Sequence, residues 1–333
     1  MATVRRNNRY EEEHTHKHTS ATAMITLPGL NKTNQAQAMT KIHNDLPPGT
    51  KIDRYIIERT LGGGGFSIVY LAKSLDETRP VVIKEYMPMT LADRGPDMSV
   101  VASNDKHIER FAHGRRLFFQ EASTLTTLKH PNIVNVINFF RDNGTVYMVM
   151  DYEEGQNLQS YIKKHKGNLS ETFLLTVFTP LLEGLHVIHA QGLLHLDIKP
   201  GNIHLRDGGR PLLLDFGAVH EMMHTRQFQP NQVITPGFSP IEQLDPGGYV
   251  GPWTDIYAIG ATMRACIDGV SPPPSTKRRE KDTMRPAVNA YKKKYSQALL
   301  EAVDWAMEVD PMLRPQTVDQ LLEKLAMIAS SAD

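Results

Sequence analysis

The residues with the strongest chemical signature lie in two short segments near the middle of the chain. HLDIKPGN (195–202) places Asp197, Lys199 and Asn202 within six positions, and LDFG (214–217) adds Asp215. Phosphoryl transfer needs such groups: a carboxylate that accepts the proton of the attacking hydroxyl, a cation on the transferring phosphate, and oxygen ligands for Mg²⁺. The two segments therefore predict phosphoryl-transfer chemistry, with an ordinary polar loop as the alternative.

Three further features are ambiguous when each is taken alone. The run GGGGFS (62–67) can let backbone N–H groups approach a polyphosphate, but a flexible turn has the same composition. Lys84 ends the apolar run VVIK, and a lysine on a strand commonly faces solvent. Glu121 lies in a helical pattern, where a glutamate commonly belongs to the surface.

Strands precede helices along the chain. RYIIERTLGGGG, FSIVYLAKS and PVVIKEYM are strand-like runs, and IVNVINFFRDN and TVYMVMDYEE meet at Asn143-Gly144, a hairpin signal. One helical pattern, HIERFAHGRRLFFQEASTLTTLKH, lies between them, and helices dominate after about Glu154. This order predicts an α+β chain with a small β-rich lobe at about 51–153 and a larger helical lobe at about 154–330. The cleft between two such lobes is the expected ligand site.

Composition limits the partners and the location. The 333 residues carry 37 Lys plus Arg and 37 Asp plus Glu, so no overall field favours nucleic acid or an acidic membrane. The one cysteine, Cys266, cannot form an internal disulfide, which favours a reducing compartment. The start of the chain is charged, and no apolar run approaches the roughly 20 residues of a membrane span. A cytoplasmic protein without a signal peptide or a membrane span is expected.

Residues 1–48 are rich in Thr, Asn, His, Gln and charge, and they lack a sustained helical or alternating pattern. Such a segment cannot bury enough apolar surface to offset the entropy lost on ordering. We therefore expect a disordered arm at 1–48, followed by a catalytic domain at 49–333. His14, His16 and His18 can bind a transition metal, although a solvated polar tail is the simpler interpretation.

Eight motifs in order resemble those of a eukaryotic-type (Hanks-type) bacterial serine/threonine protein kinase: the glycine loop, VVIK, the helix glutamate, HLDIKPGN, DFG, TPGFSPIE, WTDIYAIG and DPMLRP. The resemblance covers roughly residues 51–328, and KEYMPMTLADR is most similar to proteobacterial members. It implies a two-lobed protein-kinase-like fold, ATP with Mg²⁺ (or Mn²⁺ in its place), and protein substrates. Lys199 together with Thr235 resembles kinases that phosphorylate Ser and Thr rather than Tyr.

The resemblance also implies roles for individual residues. Asp197 is expected to be the catalytic base, and Lys199 is expected to neutralise the γ-phosphate. Lys84 is expected to hold the α- and β-phosphates while it pairs with Glu121. The implied nucleotide-binding residues are Leu61, Gly62, Gly63, Gly64, Gly65, Phe66, Val69, Val82, Lys84, Met150, Asp151, Glu153 and His204.

The remaining implied roles concern the metal and the loops. Asn202 and Asp215 are expected to ligate Mg²⁺. Glu242 and Arg314 are expected to form a buried ion pair that braces the substrate loop, which is TPGFSPIE (235–242). Asp255 is expected to anchor the catalytic loop, HLDIKPGN, from inside the larger lobe.

Four positions depart from the family pattern. Ser67 replaces the third loop glycine, and Val82 replaces an alanine over the adenine. His204 replaces an apolar residue beneath the adenine, and a buried histidine needs a hydrogen-bond partner. Leu196 replaces the arginine before the catalytic aspartate and cannot pair with a phosphate. Activity without phosphorylation of the activation loop is therefore expected.

Two other functions stay open at the level of the sequence. A pseudokinase would bind nucleotide or partners without turnover, although every group with a chemical role is present. A small-molecule kinase of aminoglycoside or choline type would share the catalytic Asp and Asn. It would lack the TPGFSPIE loop and the Glu242–Arg314 pair.

Overall fold

β-branched and aromatic residues before residue 152 fold into an antiparallel sheet in the computed structural model, which describes residues 44–77, 79–215, 220–221, 234–245 and 247–330. The strands of this part are β1 (Lys51–Ile52), β2 (Tyr55–Gly63), β3 (Ser67–Ser74), β4 (Pro80–Tyr86), β5 (Ala92–Arg94), β6 (Val100–Ala102), β7 (Val136–Asp142) and β8 (Thr145–Asp151). The sheet order is β1-β2-β3-β4-β8-β7, and β5 and β6 form a separate hairpin. The predicted turn at Asn143 and Gly144 is confirmed, with φ of 47° and 71°.

One helix, α1 (Ile108–Leu125), packs on this sheet and is held there by aromatic side chains. The ring of Tyr86, at the end of β4, packs on Phe118 with the centroids 5.6 Å apart. A Cβ atom at Gly114 would overlap the Tyr86 hydroxyl, so glycine is what allows α1 to approach β4 this closely. This packing fixes the distance between the two elements that carry the predicted Lys–Glu pair.

Helices dominate after residue 151 and form the larger lobe. Their first turns are capped where the sequence offers serine: Ser170 and Ser296 each accept a backbone N–H three residues later. The helices are α2 (Leu158–His165), α3 (Glu171–Ala190), α4 (Ile241–Leu244), α5 (Pro252–Asp268), α6 (Ser275–Glu280), α7 (Ala287–Ala290), α8 (Gln297–Ala306) and α9 (Val318–Ser330). The core of this lobe is built around α3 and α5, which contact each other and the helices α8 and α9.

Short strands interrupt the helices at the base of the cleft. They are β9 (Gln156–Asn157), β10 (Leu193–Leu194), β11 (Ile203–Leu205), β12 (Pro211–Leu213) and β13 (His220–Glu221). The catalytic loop connects β10 to β11, and Asp215 follows β12 by two residues. The predicted α+β, two-lobed organisation is confirmed.

Helix α3 has the length and composition of a membrane span, with 20 residues and a mean hydropathy of 1.4 over its most apolar window. The expectation that no apolar run approaches this length was therefore wrong. Much of its apolar character comes from side chains that it buries in the core of the larger lobe, and 44% of that window is buried inside the protein. The buried side chains are Leu174, Val177, Phe178, Leu181, Leu182, Leu185 and Ile188.

The packed part of the chain begins before the predicted domain start at residue 49. The Leu46 side chain is fully buried, and its N–H donates to the Tyr70 hydroxyl at 3.1 Å. The Thr60 hydroxyl donates to the Asp45 carboxylate at 2.6 Å. The domain therefore includes residues that composition had assigned to the arm, while residues 1–43 lie outside the described residues.

We expect Leu46→Ala to lower the free energy of unfolding by about 2–5 kcal/mol, because it removes a fully buried side chain and leaves a cavity. The measurement is urea or thermal unfolding of the full chain. Leu75→Ala is the matched control, since Leu75 is 45% exposed and should cost little. Equal stability of both variants would contradict the assignment of Leu46 to the core.

Candidate active site

The carboxylate of Asp197 lies at the centre of a buried polar cluster. Lys199 donates from Nζ to both of its oxygens, at 2.9 and 2.8 Å, and Asn202 donates from Nδ2 to Oδ2 at 2.9 Å. The hydroxyl of Thr235, in the substrate loop, donates to Oδ1 at 2.9 Å and accepts from Lys199 Nζ at 3.2 Å. An aliphatic hydroxyl therefore fits directly against this carboxylate, with a cation alongside.

Asp255 on α5 holds the backbone that leads into Asp197. Its two carboxylate oxygens accept the N–H groups of His195 and Leu196 at 2.9 and 2.8 Å, and His189 Nε2 lies 2.9 Å from Oδ2. Leu196 has a φ of 60°, a left-handed conformation that costs a leucine about 1–2 kcal/mol. Burial alone would raise the pKa of Asp255, but these hydrogen bonds outweigh it and lower the pKa. The ionised carboxylate thus fixes a strained turn, as the predicted anchor should.

Lys84 and Asp215 meet in the cleft although 131 positions separate them in the chain. Lys84 Nζ donates to Asp215 Oδ1, and both side chains are largely buried. The ammonium also lies 5.8 Å from the centroid of the Phe118 ring, close enough for a cation–π interaction. Burial opposes ionisation of Asp215, but the Lys84 ammonium lowers the pKa of this carboxyl below its usual value.

A cleft pocket of about 500 Å³, counting its open mouth, adjoins this pair. Its wall is largely apolar, which suits a planar base, and Lys84 and Asp215 form its charged end. The predicted residues in its wall are Val82, Lys84, Met150, Asp151, Glu153 and Asp215. The wall also contains residues that were not predicted: Leu125, Val134, Met148, Leu212 and Leu214. A signal existed for three of them, because Met148 shares a strand face with Met150, and Leu212 and Leu214 alternate in the same way.

The glycine loop lies at the turn between β2 and β3, outside the wall of this pocket. Gly62 pairs with Val69, and the Gly64 N–H donates to the Ser67 carbonyl at 2.8 Å. A Cβ atom at Gly65 would meet nothing within 4 Å, so the loop is open on that side. The predicted loop residues Leu61, Gly62, Gly63, Gly64, Gly65, Phe66 and Val69 are therefore not in the pocket wall, and their contact with a nucleotide stays a prediction.

The protein kinase domain family matches residues 55–326. The chain belongs to the protein kinase family. The kinase is 30% identical over 286 residues to the serine/threonine-protein kinase PknA of Nostoc sp., which covers 83% of this chain and 47% of that protein. It is also 30% identical over 227 residues to PrkC of Bacillus subtilis, covering 66% of this chain and 31% of that protein. The chain thus spans about half or less of the length of these relatives.

A solved structure, PpkA-294 in its apo form, is similar to this kinase with a TM-score of 0.76 and 36% sequence identity. The match covers 85% of this chain and 99% of that one. The predicted resemblance to bacterial serine/threonine kinases and the predicted kinase fold are confirmed by these matches.

The predicted ion pair between Lys84 and Glu121 is not formed in the described structure. Lys84 pairs with Asp215, and the Oε1 atom of Glu121 is buried without a hydrogen-bond partner among the described residues. The Asp215 carboxylate pairs with the Lys84 ammonium, and Glu121 lies in an environment that disfavours its ionised form. Burial, which outweighs the attraction of Lys84, raises the pKa of Glu121 to about 8.

We expect Glu121→Gln to stabilise the kinase at pH 8 by a few degrees in Tm and to have little effect at pH 4.5. A carboxyl with a folded pKa of about 8 and an ordinary unfolded value near 4.5 contributes full stability below pH 4.5. The wild-type kinase loses that contribution as the pH rises through 8. The Glu121→Gln variant does not lose it, because glutamine does not ionise. The measurement is the Tm difference from wild type against pH. Glu109→Gln, at an exposed position of the same helix, is the control, and a flat Tm difference for Glu121→Gln would contradict the burial effect.

His204, which was predicted to lie beneath the adenine, is not among the residues that line this pocket, and its role stays a prediction. It lies on β11, and a Cβ atom at Gly155 would come within 2.6 Å of its Nε2 atom. The ring is fully buried, and burial lowers its pKa, so the imidazole is neutral. Its cross-strand partner Leu212 lines the pocket, and directly paired residues have their side chains on the same face of the sheet.

The predicted metal ligands are placed to provide oxygen atoms. Asn202 donates from Nδ2 to the Asp197 carbonyl and carboxylate, which directs the amide and leaves Oδ1 as its oxygen donor. Asp215 is an ionised carboxylate at the charged end of the pocket. One carboxylate and one amide oxygen are the kind of donor set that Mg²⁺ uses together with phosphate and water. These residues fit a divalent cation.

The predicted buried ion pair between Glu242 and Arg314 is confirmed. Arg314 donates to both carboxylate oxygens of Glu242 at 2.7 and 3.1 Å, and both side chains are buried. Phe216 and Gly217 of the DFG motif lie outside the described residues, as do the residues from 222 to 233.

Proposed function

We propose that the protein transfers the γ-phosphate of ATP to Ser and Thr hydroxyls of protein substrates, with Asp197 as the catalytic base. The observation that carries the proposal is the hydroxyl of Thr235, which donates to Asp197 and accepts from Lys199. A substrate hydroxyl held in the same way would have its proton directed at a carboxylate. Its oxygen would face the phosphate that Lys199 neutralises.

The electrostatics of Asp197 suit this role. Burial raises the pKa of its carboxyl above the usual value, and Lys199 only partly offsets the effect. A carboxylate with a raised pKa is a better proton acceptor near neutral pH than an exposed aspartate. Lys199 stays within hydrogen-bond distance of both carboxylate oxygens, so it can follow the charge as the proton moves.

The nucleotide is proposed to place its adenine in the apolar pocket, beneath Val82 and beside Met150, with its phosphates towards Lys84. Asn202 and Asp215 would hold Mg²⁺, for which Mn²⁺ can substitute. The ion would supply positive charge to the β- and γ-phosphate oxygens. The glycine loop would cover the phosphates from the side of β2 and β3.

We also propose that the protein is cytoplasmic. The support is compositional: the net charge is zero and there is one cysteine, which favours a reducing compartment. Nucleic acid is not proposed as a partner, because the charges balance.

A scaffold that binds nucleotide without turnover is the second candidate. One observation favours it: Lys84 and Glu121 do not pair with each other, and this pair is needed for transfer in protein kinases. Incubation with Mg²⁺, ATP and a generic protein substrate, followed by mass spectrometry, separates the candidates. Phosphoserine or phosphothreonine above a no-enzyme control supports the kinase, and bound ATP without phosphate transfer supports the scaffold.

A further inference from the structure

Gln243, in the short helix α4, reaches the backbone of the catalytic loop. Its Nε2 atom donates to the carbonyl of Leu196 at 2.7 Å. Both residues are buried, with 1% and 2% of their surface exposed, so this hydrogen bond is shielded from water. The carbonyl belongs to the peptide bond that leads directly into Asp197.

The polar backbone groups on both sides of Asp197 are held by side chains from different parts of the larger lobe. Asp255 on α5 accepts the N–H group of Leu196 at 2.8 Å, and Asn202 donates to the carbonyl of Asp197 at 2.9 Å. Gln243 completes this set at the carbonyl between them. It is the member of the set that comes from the end of the substrate loop.

The element that carries Gln243 is itself fixed. The preceding residue, Glu242, forms the buried ion pair with Arg314 and also accepts from the Thr254 hydroxyl at 3.0 Å. A displacement of α4 would therefore be transmitted to the carbonyl of Leu196. The hydrogen bond from Gln243 also helps to hold Leu196 in its left-handed conformation, with a φ of 60°, which is unfavourable for a leucine.

We propose that Gln243 is a positioning residue for phosphoryl transfer: it ties the substrate loop to the catalytic loop and sets the orientation of Asp197. The proposal rests on the proposed role of Asp197 as the base. The link is a neutral hydrogen bond between two buried residues, so it does not require a phosphate. It connects the two loops at Leu196, whose side chain has no hydrogen-bond donor for a phosphate.

Gln243→Met tests the proposal, because methionine has a similar shape and length but no N–H donor. We expect kcat per nucleotide-binding site to fall about 10- to 100-fold, measured well below the Tm, since small misplacements of a catalytic group cost this much. The KM for ATP should change less than threefold, because the pocket and Lys84 are untouched. Gln297→Met, at an exposed position, is the matched control and should behave as wild type.

Gln243→Leu is the second variant, in case methionine prevents folding, since leucine is also apolar and has no hydrogen-bond donor. Wild-type kcat per binding site in either variant would overturn the proposal, even if the Tm falls, because a purely structural role predicts that result. An equal loss of ATP affinity and kcat would also overturn it. Asp197→Asn in the same assay separates the two proposals: if that variant stays active, the role of Asp197 fails, whatever Gln243 does.

Discussion

Asp197→Asn is expected to lower phosphoryl transfer by about 10²–10⁴-fold while nucleotide binding persists. The substitution keeps the size of the side chain but removes the carboxylate that accepts from Lys199 and from the Thr235 hydroxyl. Loss of a general base has this effect in enzymes. Nucleotide binding should persist, because the pocket wall does not include Asp197.

The measurements are phosphate incorporation into a protein substrate and nucleotide titration by calorimetry. Asp207→Asn is the matched control. It is the same substitution at an exposed aspartate of the same lobe, away from the site. Asp215→Asn should instead weaken binding of ATP with Mg²⁺, because it removes a proposed metal ligand. Turnover of Asp197→Asn at the wild-type rate would show that another group takes the proton.

The motif residues could be predicted from the sequence because phosphoryl transfer is the chemistry that this combination of side chains serves. An aspartate, a lysine and an asparagine in six positions do not form a hydrophobic core, and the structure places all three in one hydrogen-bonded cluster. The Glu242–Arg314 pair was predictable by resemblance. It also has a physical basis, because burying a charged side chain is costly unless an opposite charge is buried beside it.

The pairing of Lys84 could not be predicted, because it depends on a distance that no local pattern encodes. Glu121 and Asp215 are both carboxylates near the ammonium, and the ion pair that forms is the one with Asp215. The sequence identifies the charged residues, but the folded arrangement decides which of them form an ion pair.

Leu46 was missed for a related reason. It is one leucine in a polar segment, so it has no periodic partners, and its burial comes from contacts with strands later in the chain. Long-range packing settles its position.

Arg314→Met is expected to lower the free energy of unfolding by about 3–5 kcal/mol, the second large effect. Removal of one partner leaves the Glu242 carboxylate buried without its counter-charge. The guanidinium also donates to the carbonyls of Glu308 and Val309, at 2.6 and 2.9 Å, and these acceptors would be left unpaired. Arg314→Lys should recover only part of the loss, because one ammonium cannot reproduce this planar set of donors.

The control is Arg279→Met, which breaks an ion pair with Asp245 of similar length, 2.6 Å, but with side chains 52% and 44% exposed. Exposed pairs contribute about 0–1 kcal/mol, so this variant should unfold close to wild type. Urea unfolding of both variants, of Glu242→Gln, and of Arg314→Met combined with Glu242→Gln gives the coupling energy of the buried pair. The combined variant should be more stable than Arg314→Met alone, because the uncompensated charge is gone, yet less stable than wild type, because the carbonyls of Glu308 and Val309 still lack their donor. A cost below about 1 kcal/mol for Arg314→Met would show that the loop holds without this brace.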